Sequence, residues 1–244
     1  RDATGLIPVR MGVFLDAVFA DLSGAAEPFE DYVAPLAARW ADFAERTLHH
    51  GGASSRFTLD LRCNWKLAVE NYCESYHLPW VHPGLNSYSR LEDHYNIVEP
   101  RAFSGQGTRV YAPQLGETAF PDFPGLPARW DRAAEYLALY PNVLFGVHRD
   151  HVFSIRLEPF AHDRTIEHVA IYYADAEAAA GEACADLRAR NAALWKEVFA
   201  EDVAVVEGMQ RGRGAPGFDG GVFAPAMDAP THAFHDWVAW RLSA

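Results

Sequence analysis

Hydrophobic residues recur along this chain with two different periods. A period of two in residues 56–62, where three hydrophobic residues alternate with polar neighbours, predicts a half-buried strand. Apolar, β-branched and aromatic runs predict two short strands in residues 7–22 and single strands in residues 142–148, 151–157 and 165–174. The Arg149-Asp150 step between two of these runs is typical of a tight turn, so we expect an antiparallel hairpin there.

A period near 3.6 predicts the helices. An amphipathic helix is predicted over residues 27–46, and shorter helices over residues 131–140 and 234–242. A long helix is predicted over residues 182–209, with an apolar stripe made of Leu187, Leu194, Trp195, Val198, Val205, Val206 and Met209. Gly and Pro punctuate three expected loops: residues 83–107, 113–127 and 212–221. We expect the first two loops to form the walls of a substrate entrance and the third to be a mobile loop over the site.

These elements indicate the α+β class with an antiparallel sheet. Because there is no repeat, low-complexity tract or Ser/Gly linker, residues 1–244 are predicted to form one domain. A formal net charge of −12 without a basic run argues against nucleic-acid binding. No apolar segment approaches the ~20 residues that span a bilayer, so we expect a cytoplasmic protein with no membrane partner. The three cysteines are odd in number and are expected to be reduced thiols.

Residues 64–85 carry the candidate chemistry. Asn64 is a good N-cap for a helix, because its side-chain oxygen can accept a backbone N–H of the first turn. A hydrophobic stripe follows it at helical spacing and predicts a core-facing side. Glu70, Glu74 and His77 fall at i, i+4 and i+7, so we expect these three side chains along another side of the same helix.

A proline breaks this predicted helix. Pro79 cannot lie inside a continuing helix, so the chain must turn just after His77. In an unbroken helix the imidazoles of His77 and His82 would point about 140° apart, whereas the break lets both converge on one point. From these residues alone, a solvated helix face is the alternative. The other histidines are assigned surface, packing or structural roles: His49, His50, His94, His148, His151, His162, His168, His232 and His235.

Asp202 lies in the middle of the apolar stripe of the long helix. A carboxylate there is unfavourable unless it is paired or binds a metal, and the alternative to a metal is a buried salt bridge to Arg190 or Arg211. Together with His77 and His82, Asp202 would complete a set of two imidazoles and one carboxylate, which leaves positions open on iron(II) for dioxygen. Zinc in a hydrolase accepts the same ligands.

Residues 64–85 and the segment around Asp202 resemble the catalytic domain of the Rieske-type non-haem iron oxygenases. These are the alpha subunits of ring-hydroxylating and demethylating systems. The resemblance rests on Asn64-Trp65-Lys66, Glu70-Asn71, Glu74, Tyr76-His77 and His82, and then on Glu201-Asp202, Glu207 and Gln210. It implies a helix-grip (START-like) fold, in which a curved antiparallel sheet wraps around the long C-terminal helix. It also implies that His77, His82 and Asp202 bind a mononuclear iron(II).

A Rieske [2Fe–2S] cluster needs two Cys and two His in C-x-H and C-x-x-H pairs, and no cysteine here has a histidine at either spacing. We therefore expect the cluster on an N-terminal domain that is absent from this chain. The resemblance implies a homotrimer and electrons from NAD(P)H through a separate reductase or ferredoxin. It makes Glu74 the candidate catalytic residue, since the acidic residue at this place bridges the iron-bound histidine to the cluster of a neighbouring subunit.

The expected function is that of a terminal oxygenase that uses iron(II) and dioxygen on a small molecule. Glu74 resembles the members that oxidise quaternary ammonium compounds, which favours oxidative N-demethylation or hydroxylation of such a substrate. Aromatic-ring hydroxylation is the alternative within the family. A metal-free helix-grip carrier of hydrophobic ligands and, more weakly, a zinc hydrolase are the alternatives outside it. The candidates for holding a cation by aromatic contact are Tyr111, Phe145, Phe153 and Tyr172.

Overall fold

A computed structural model describes residues 5–116 and 119–243. The chain falls into two units, the first ending at Arg46 and the second beginning at Thr47. Within the described ranges, no helix is both long enough and apolar enough to cross a membrane. The prediction of one domain over residues 1–244 stays a prediction.

The first unit contains the predicted pair of strands. Strands β1 (Arg10–Phe14) and β2 (Ala17–Asp21) pair antiparallel through a two-residue turn. Leu15 and Asp16 in that turn both have positive φ angles, of 46° and 63°, as a tight hairpin turn requires. The predicted helix over residues 27–46 is divided into α1 (Phe29–Arg39) and α2 (Ala41–Ala44).

In the described part of the second unit, eight strands form one sheet. They are β3 (His49–His50), β4 (Arg56–Leu61), β5 (His94–Glu99), β6 (Phe103–Thr108), β7 (Ala134–Leu139), β8 (Val143–Val147), β9 (His151–Ala161) and β10 (Arg164–Tyr173). The order is β3-β10-β9-β8-β7-β6-β5, β4 also pairs with β10, and every pair is antiparallel. The predicted hairpin around Arg149-Asp150 is confirmed by the β8–β9 pair.

The second unit also contains α-helices. They are α3 (Trp65–Cys73), α4 (Leu78–Val81), α5 (Pro83–Asn86), α6 (Ala176–Ala180), α7 (Ala185–Arg213) and α8 (Ala229–Ser243). Short 3-10 turns occur at Ala53–Ser55, Leu91–Asp93, Ala128–Trp130 and Glu182–Cys184. The predicted long helix is confirmed as α7, and α8 begins five residues before its predicted start.

The core of the second unit lies between the sheet, α3 and α7. On α7, Trp195 and Phe199 are buried and pack against Phe153 of β9, with ring centroids 4.6 Å and 5.3 Å apart. From α3, Leu67 and Val69 join the same buried cluster. The predicted α+β class with a helix-grip arrangement is therefore confirmed.

Two predictions about the middle of the chain are wrong. Residues 131–140, predicted as a helix, contain strand β7, in which all six residues are buried. Burial on both faces removes the alternation that identifies a strand, and Ala, Glu and Leu favour helices in isolation. Residues 83–107, predicted as a loop, contain α5, β5 and the start of β6. In β6, a Cβ at Gly105 would lie 2.1 Å from the carbonyl oxygen of Tyr136, so a glycine is needed in this strand.

The second predicted loop agrees with the structure as far as the structure describes it. Residues 113–116 and 119–127 contain no helix or strand. Residues 117 and 118 of this predicted loop lie outside the described residues.

Candidate metal centre

The long helix α7 fixes the start of α3. Asn64 caps α3 as predicted, since its Oδ1 atom accepts the backbone N–H of Lys66 at 3.2 Å. The backbone N–H of Asn64 in turn donates to Gln210 Oε1 at 2.9 Å, and the backbone N–H of Arg62 donates to Glu207 Oε1 at 3.2 Å. Two polar side chains of α7 thereby hold in place the segment that leads to the histidines.

The helix that follows is shorter than predicted. It ends at Cys73, and Glu74 has extended backbone angles (φ −107°, ψ 163°), so Glu74 and His77 are not on one helix with Glu70. The side chain of Glu74 explains the break, because its Oε2 atom accepts the backbone N–H groups of Tyr76 at 2.6 Å and His77 at 3.3 Å. A side chain that bonds to nearby backbone N–H groups offers an alternative to the helix. The predicted convergence of the two histidines thus results from a break three residues earlier than expected.

Both candidate histidines present the same nitrogen to a carboxylate. His77 Nδ1 contacts Glu74 Oε1, and His82 Nδ1 lies 2.7 Å from Glu201 Oε2. Because an ionised carboxylate can only accept, each Nδ1 atom carries the hydrogen. The lone pair of each imidazole is therefore on Nε2, which is the tautomer of a metal-binding histidine held by a carboxylate.

The Nε2 atoms of both histidines lie close to Asp202. Its Oδ1 atom is 3.0 Å from His82 Nε2 and 3.7 Å from His77 Nε2, and the three candidate ligand atoms all lie within 4.8 Å of one another. The structure thus brings together the three residues selected from the sequence. The alternative partners of Asp202 are engaged elsewhere, since Arg190 donates to the carbonyl of Leu115 and Arg211 lies near Glu207.

The chemistry of this cluster fits a divalent cation. Asp202 Oδ1 is buried and has no hydrogen-bond partner, although a buried carboxylate oxygen normally has one. Two nitrogen lone pairs and an oxygen therefore converge without a donor from the described residues. Two imidazoles and one carboxylate suit iron(II), and they also suit zinc. In the protein alone, burial lowers the pKa of His82, but Asp202 and Glu201 outweigh burial and raise it.

Sequence reasoning missed two supports of this cluster. Gln106 of β6 donates from Nε2 to the backbone carbonyl of Glu74 at 3.0 Å, and its Oε1 atom contacts His94 Nδ1. Gln106 lies in a segment predicted as a loop, and no local pattern indicates this contact. Glu201 entered the sequence analysis only as part of the Glu201-Asp202 pair, so its contact with His82 was not predicted.

The buried carboxylate of Glu70 connects three helices near this site. Glu70 contacts Arg213, and its Oε1 atom lies 2.9 Å from His235 Nε2. These contacts connect α3, α7 and α8. They agree with the structural role assigned to His235.

An aromatic cluster lies further along the core-facing side of α7, around Trp195, seven residues before Asp202. Trp195 Nε1 donates to His151 Nε2 at 2.9 Å, and His151 Nδ1 lies 2.7 Å from Asp150 Oδ1. Two of the candidates for holding a cation, Tyr111 and Phe153, pack on Trp195 with centroids 5.9 Å and 4.6 Å away. The other two, Phe145 and Tyr172, do not belong to the described core cluster that contains Trp195.

A surface cavity opens near these aromatic residues. It has a volume of about 550 Å³ and is lined by residues of both segments predicted to form the substrate entrance, including Tyr88 and Pro113. Leu194 of α7 also lines it. The ring of Tyr88 lies 5.8 Å from that of Tyr111, so the cavity is next to the aromatic cluster.

A family model described as "Ring hydroxylating alpha subunit (catalytic domain)" matches residues 38–244. The chain therefore belongs to this family, the catalytic domains of ring-hydroxylating alpha subunits. The resemblance to the Rieske-type oxygenases that was drawn from the two sequence segments is confirmed.

Two curated relatives of the chain are a choline monooxygenase and a carnitine monooxygenase subunit. The chain is 29% identical to the chloroplastic choline monooxygenase of Arabidopsis thaliana over an aligned length of 250 residues. The alignment covers 95% of this chain and 54% of that protein. It is 25% identical to the carnitine monooxygenase oxygenase subunit of Escherichia coli (strain K12) over 223 residues, which cover 90% of this chain and 55% of that protein. The chain thus spans about half the length of these relatives.

Solved structures show the same fold. A quaternary ammonium Rieske monooxygenase matches with a TM-score of 0.72 at 20% identity, covering 96% of this chain and 62% of that chain. Naphthalene 1,2-dioxygenase from Rhodococcus sp. matches with a TM-score of 0.66 at 14% identity, covering 95% of this chain and 65% of that chain. At these identities the likeness concerns the fold alone.

Proposed function

We propose that this chain is the iron-binding catalytic part of a Rieske-type terminal oxygenase that uses dioxygen to demethylate or hydroxylate a quaternary ammonium compound. One observation carries the proposal: the Nε2 atoms of His77 and His82 and the Oδ1 atom of Asp202 converge, while both Nδ1 atoms face carboxylates. Such a set of ligands occupies one face of the coordination sphere and leaves the other open.

His77, His82 and Asp202 would hold the ferrous iron. When bound, iron(II) would supply the binding and activation of dioxygen beside the substrate. Glu74 and Glu201 would keep each imidazole in the tautomer that offers Nε2, and this arrangement raises the basicity of the ligand. The 2% exposure of His82 and the buried aromatic residues nearby would limit the access of water.

Electrons would reach this site from outside the chain. We assign their source to a Rieske [2Fe–2S] cluster on another part of the whole protein, supplied from NAD(P)H through a separate reductase or ferredoxin. In a homotrimer, Glu74 would lie on the path between the cluster of one subunit and the iron of the next. Two exposed aromatic residues support a partner surface beside Glu74, since Tyr76 is 47% exposed and Trp80 is 74% exposed.

The substrate class is favoured by two independent features. Both curated relatives described above are named for choline or carnitine. The aromatic cluster around Trp195 lies beside the entrance cavity, and aromatic faces attract quaternary ammonium groups. Hydroxylation of an aromatic ring is the second candidate, because the matched family is named for that reaction.

Iron binding tests the proposal. We expect the 244-residue chain to take up about one ferrous ion under anaerobic conditions, measured by equilibrium dialysis. Asp202→Ala should lose this iron, whereas Glu197→Ala, which removes an exposed carboxylate from the same helix, should keep it. Circular dichroism checks that both variants are folded.

Three outcomes would count against the proposal. Stoichiometric iron in Asp202→Ala would remove Asp202 from the ligand set. A folded wild-type chain that binds no metal would favour the carrier of hydrophobic ligands. Selective retention of zinc over iron, with hydrolytic activity, would favour the zinc hydrolase.

A further inference from the structure

A second cavity, which we call the inner cavity, lies beside the aromatic cluster around Trp195. Its volume is about 160 Å³, about ten times the ~15 Å³ that one water molecule needs. Its lining includes Tyr111 and His148, and it shares Pro113 and Arg132 with the entrance cavity of about 550 Å³. The two cavities therefore adjoin, and a ligand held in the inner cavity can extend into the larger one.

Two buried polar atoms of this lining have no hydrogen-bond partner among the described residues. They are the hydroxyl oxygen of Tyr111 and the Nδ1 atom of His148, a residue that is only 1% exposed. The centroids of the two rings are 4.6 Å apart, so both groups belong to one part of the cavity. Because most buried polar groups have a partner, this pair indicates an occupant.

The bond between His148 and Tyr136 indicates which kind of partner His148 lacks. Burial lowers the pKa of His148 well below its ordinary value, so the ring is neutral and carries one hydrogen. The buried hydroxyl group of Tyr136 lies 3.2 Å from His148 Nε2, its only partner among the described residues. If Tyr136 donates to Nε2, the hydroxyl hydrogen has an acceptor, whereas the other tautomer leaves this hydrogen unpaired. The hydrogen of His148 is therefore on Nδ1, as a donor without an acceptor.

The charges around the inner cavity leave one arginine without a counter-ion. The charged residues of the lining are Asp131, Arg132, Arg149 and Asp150. Arg149 pairs with Asp122, and Asp131 lies close enough to raise the pKa of Arg149 further. Asp150 is bonded to a neighbouring imidazole. Arg132, where the two cavities adjoin, has no ion pair with a described residue.

We propose that the inner cavity binds the carboxylate group of a small ligand, through the Nδ1 hydrogen of His148, the hydroxyl group of Tyr111 and the charge of Arg132. A carboxylate accepts several hydrogen bonds and donates none, which matches two buried donors beside an unpaired guanidinium. Betaines and aromatic acids are two sources of this group. The binding site does not rest on the proposed function, but its consequence, a substrate that carries a carboxylate, does.

The test compares each carboxylate with the alcohol of the same framework. Glycine betaine and choline share a trimethylammonium group, and benzoate and benzyl alcohol share a phenyl ring. In each pair a hydroxymethyl group replaces the carboxylate. Titration calorimetry on the 244-residue chain, with and without ferrous iron, gives the dissociation constants. We expect wild type to bind the carboxylate at least tenfold more tightly in at least one pair, and the pair with this preference identifies the source as a betaine or an aromatic acid.

Three variants assign the preference to particular groups. Tyr111→Phe removes a hydroxyl group and keeps the ring, so the preference for the carboxylate should fall about tenfold, as is typical of a hydrogen bond to a charged group. Arg132→Met removes an exposed charge, so the preference should fall only about threefold. The matched control is Arg129→Met, which removes an exposed arginine outside the described lining and should keep the preference within twofold of wild type.

Nuclear magnetic resonance of the imidazole nitrogens tests the donor directly. In an isotope-labelled wild-type chain, Nδ1 of His148 should carry the hydrogen with and without ligand. The resonance of this hydrogen should move downfield when the carboxylate binds. His148→Gln identifies the signal by its absence.

Several results would overturn the inference. Equal affinities within both pairs in wild type would mean that the cavity holds water, and equal weakening of carboxylate and alcohol in Tyr111→Phe would indicate a role in shape. A hydrogen on Nε2 of His148 would remove the buried donor. If the chain binds no iron but keeps the preference, the proposed oxygenase function fails and the carboxylate site stands. Iron binding without the preference would mean the reverse.

Discussion

Two histidines of the second unit are held alike at one ring nitrogen and differently at the other. In both His151 and His82, the Nδ1 atom lies 2.7 Å from a carboxylate oxygen of an acidic residue. The Nε2 atom of His151 accepts the indole N–H of Trp195 at 2.9 Å. The Nε2 atom of His82 instead lies 3.0 Å from Asp202 Oδ1, which has no hydrogen-bond partner.

The difference separates a structural histidine from a candidate ligand. A carboxylate at Nδ1 orients the ring in both places, so this contact does not identify a metal site. The decisive atom is Nε2, which meets a donor within the protein in one case and another acceptor in the other. Trp195 and Asp202 lie seven residues apart on α7. One helix therefore supplies both the donor to His151 Nε2 and the carboxylate beside His82 Nε2.

The largest expected effect is on iron binding by His82. Replacing His82 with Ala removes a ligand, so we expect its affinity for ferrous iron to fall by more than about 100-fold, above the range typical of residues that only orient a ligand. The stability of the metal-free chain should change less than in the equivalent variant of His151. Anaerobic competition with a chromogenic chelator measures the affinity, and an unchanged value would refute the assignment.

The reverse result is expected for His151. Its side chain is 2% exposed and bonded at both nitrogens, so His151→Ala should reduce the free energy of unfolding by about 2–4 kcal/mol. Iron affinity should stay within twofold of wild type. Urea unfolding checks the first statement and chelator competition the second. Loss of iron in a folded His151→Ala variant would contradict the assignment of a purely structural role to His151.

A smaller effect is expected for the acidic residue behind His82. Glu201→Gln keeps an oxygen that accepts the Nδ1 hydrogen but removes the negative charge, so iron affinity should fall about tenfold. Glu197→Gln, on the exposed side of α7, is the matched control and should have no effect. If Glu201→Gln binds iron as tightly as wild type does, the negative charge beside His82 Nδ1 does not affect iron affinity.

The smallest effect concerns the pH dependence of stability. Burial, and to a smaller extent the neighbouring imidazole of His151, hold the pKa of His148 well below its ordinary value. Below about pH 6.5 the unfolded chain therefore binds a proton at this residue that the folded chain does not, and stability falls by up to about 1.4 kcal/mol per pH unit. Above that pH, His148 contributes nothing to the pH dependence of stability.

His148→Gln isolates this contribution. The glutamine can still bond to the hydroxyl group of Tyr136, which lies 3.2 Å from His148 Nε2. Urea unfolding at pH 7.5 and pH 5.5 should show a smaller loss of stability in the variant than in wild type. Equal losses in both proteins would show that His148 is protonated in the folded state.

The fold was predictable where the signals are local. Alternation identified β4, two apolar runs flanking a tight turn identified the β8–β9 hairpin, and the long apolar stripe identified α7, because each pattern is local in the sequence. Strands β6 and β7 were missed because both are buried on two faces, so their sequences show no alternation. Their strand conformation comes from neighbouring strands, which no local pattern reveals.

The candidate site was predictable in part for the same reason. His77 and His82 stand out beside Pro79, and Asp202 stands out as a charge within an apolar stripe. The contact that orients His82 joins it to Glu201, 119 positions away, so no local pattern indicates it.

The most direct test of the central claim is the coordination of iron in the wild-type chain. Anaerobic titration with ferrous iron, followed by X-ray absorption at the iron edge, measures both the number of ions and the number of imidazole ligands. We predict one ion per chain, with two imidazoles bound. An absence of saturable uptake, or a bound ion whose imidazole signal is unchanged by His82→Ala, would contradict the account.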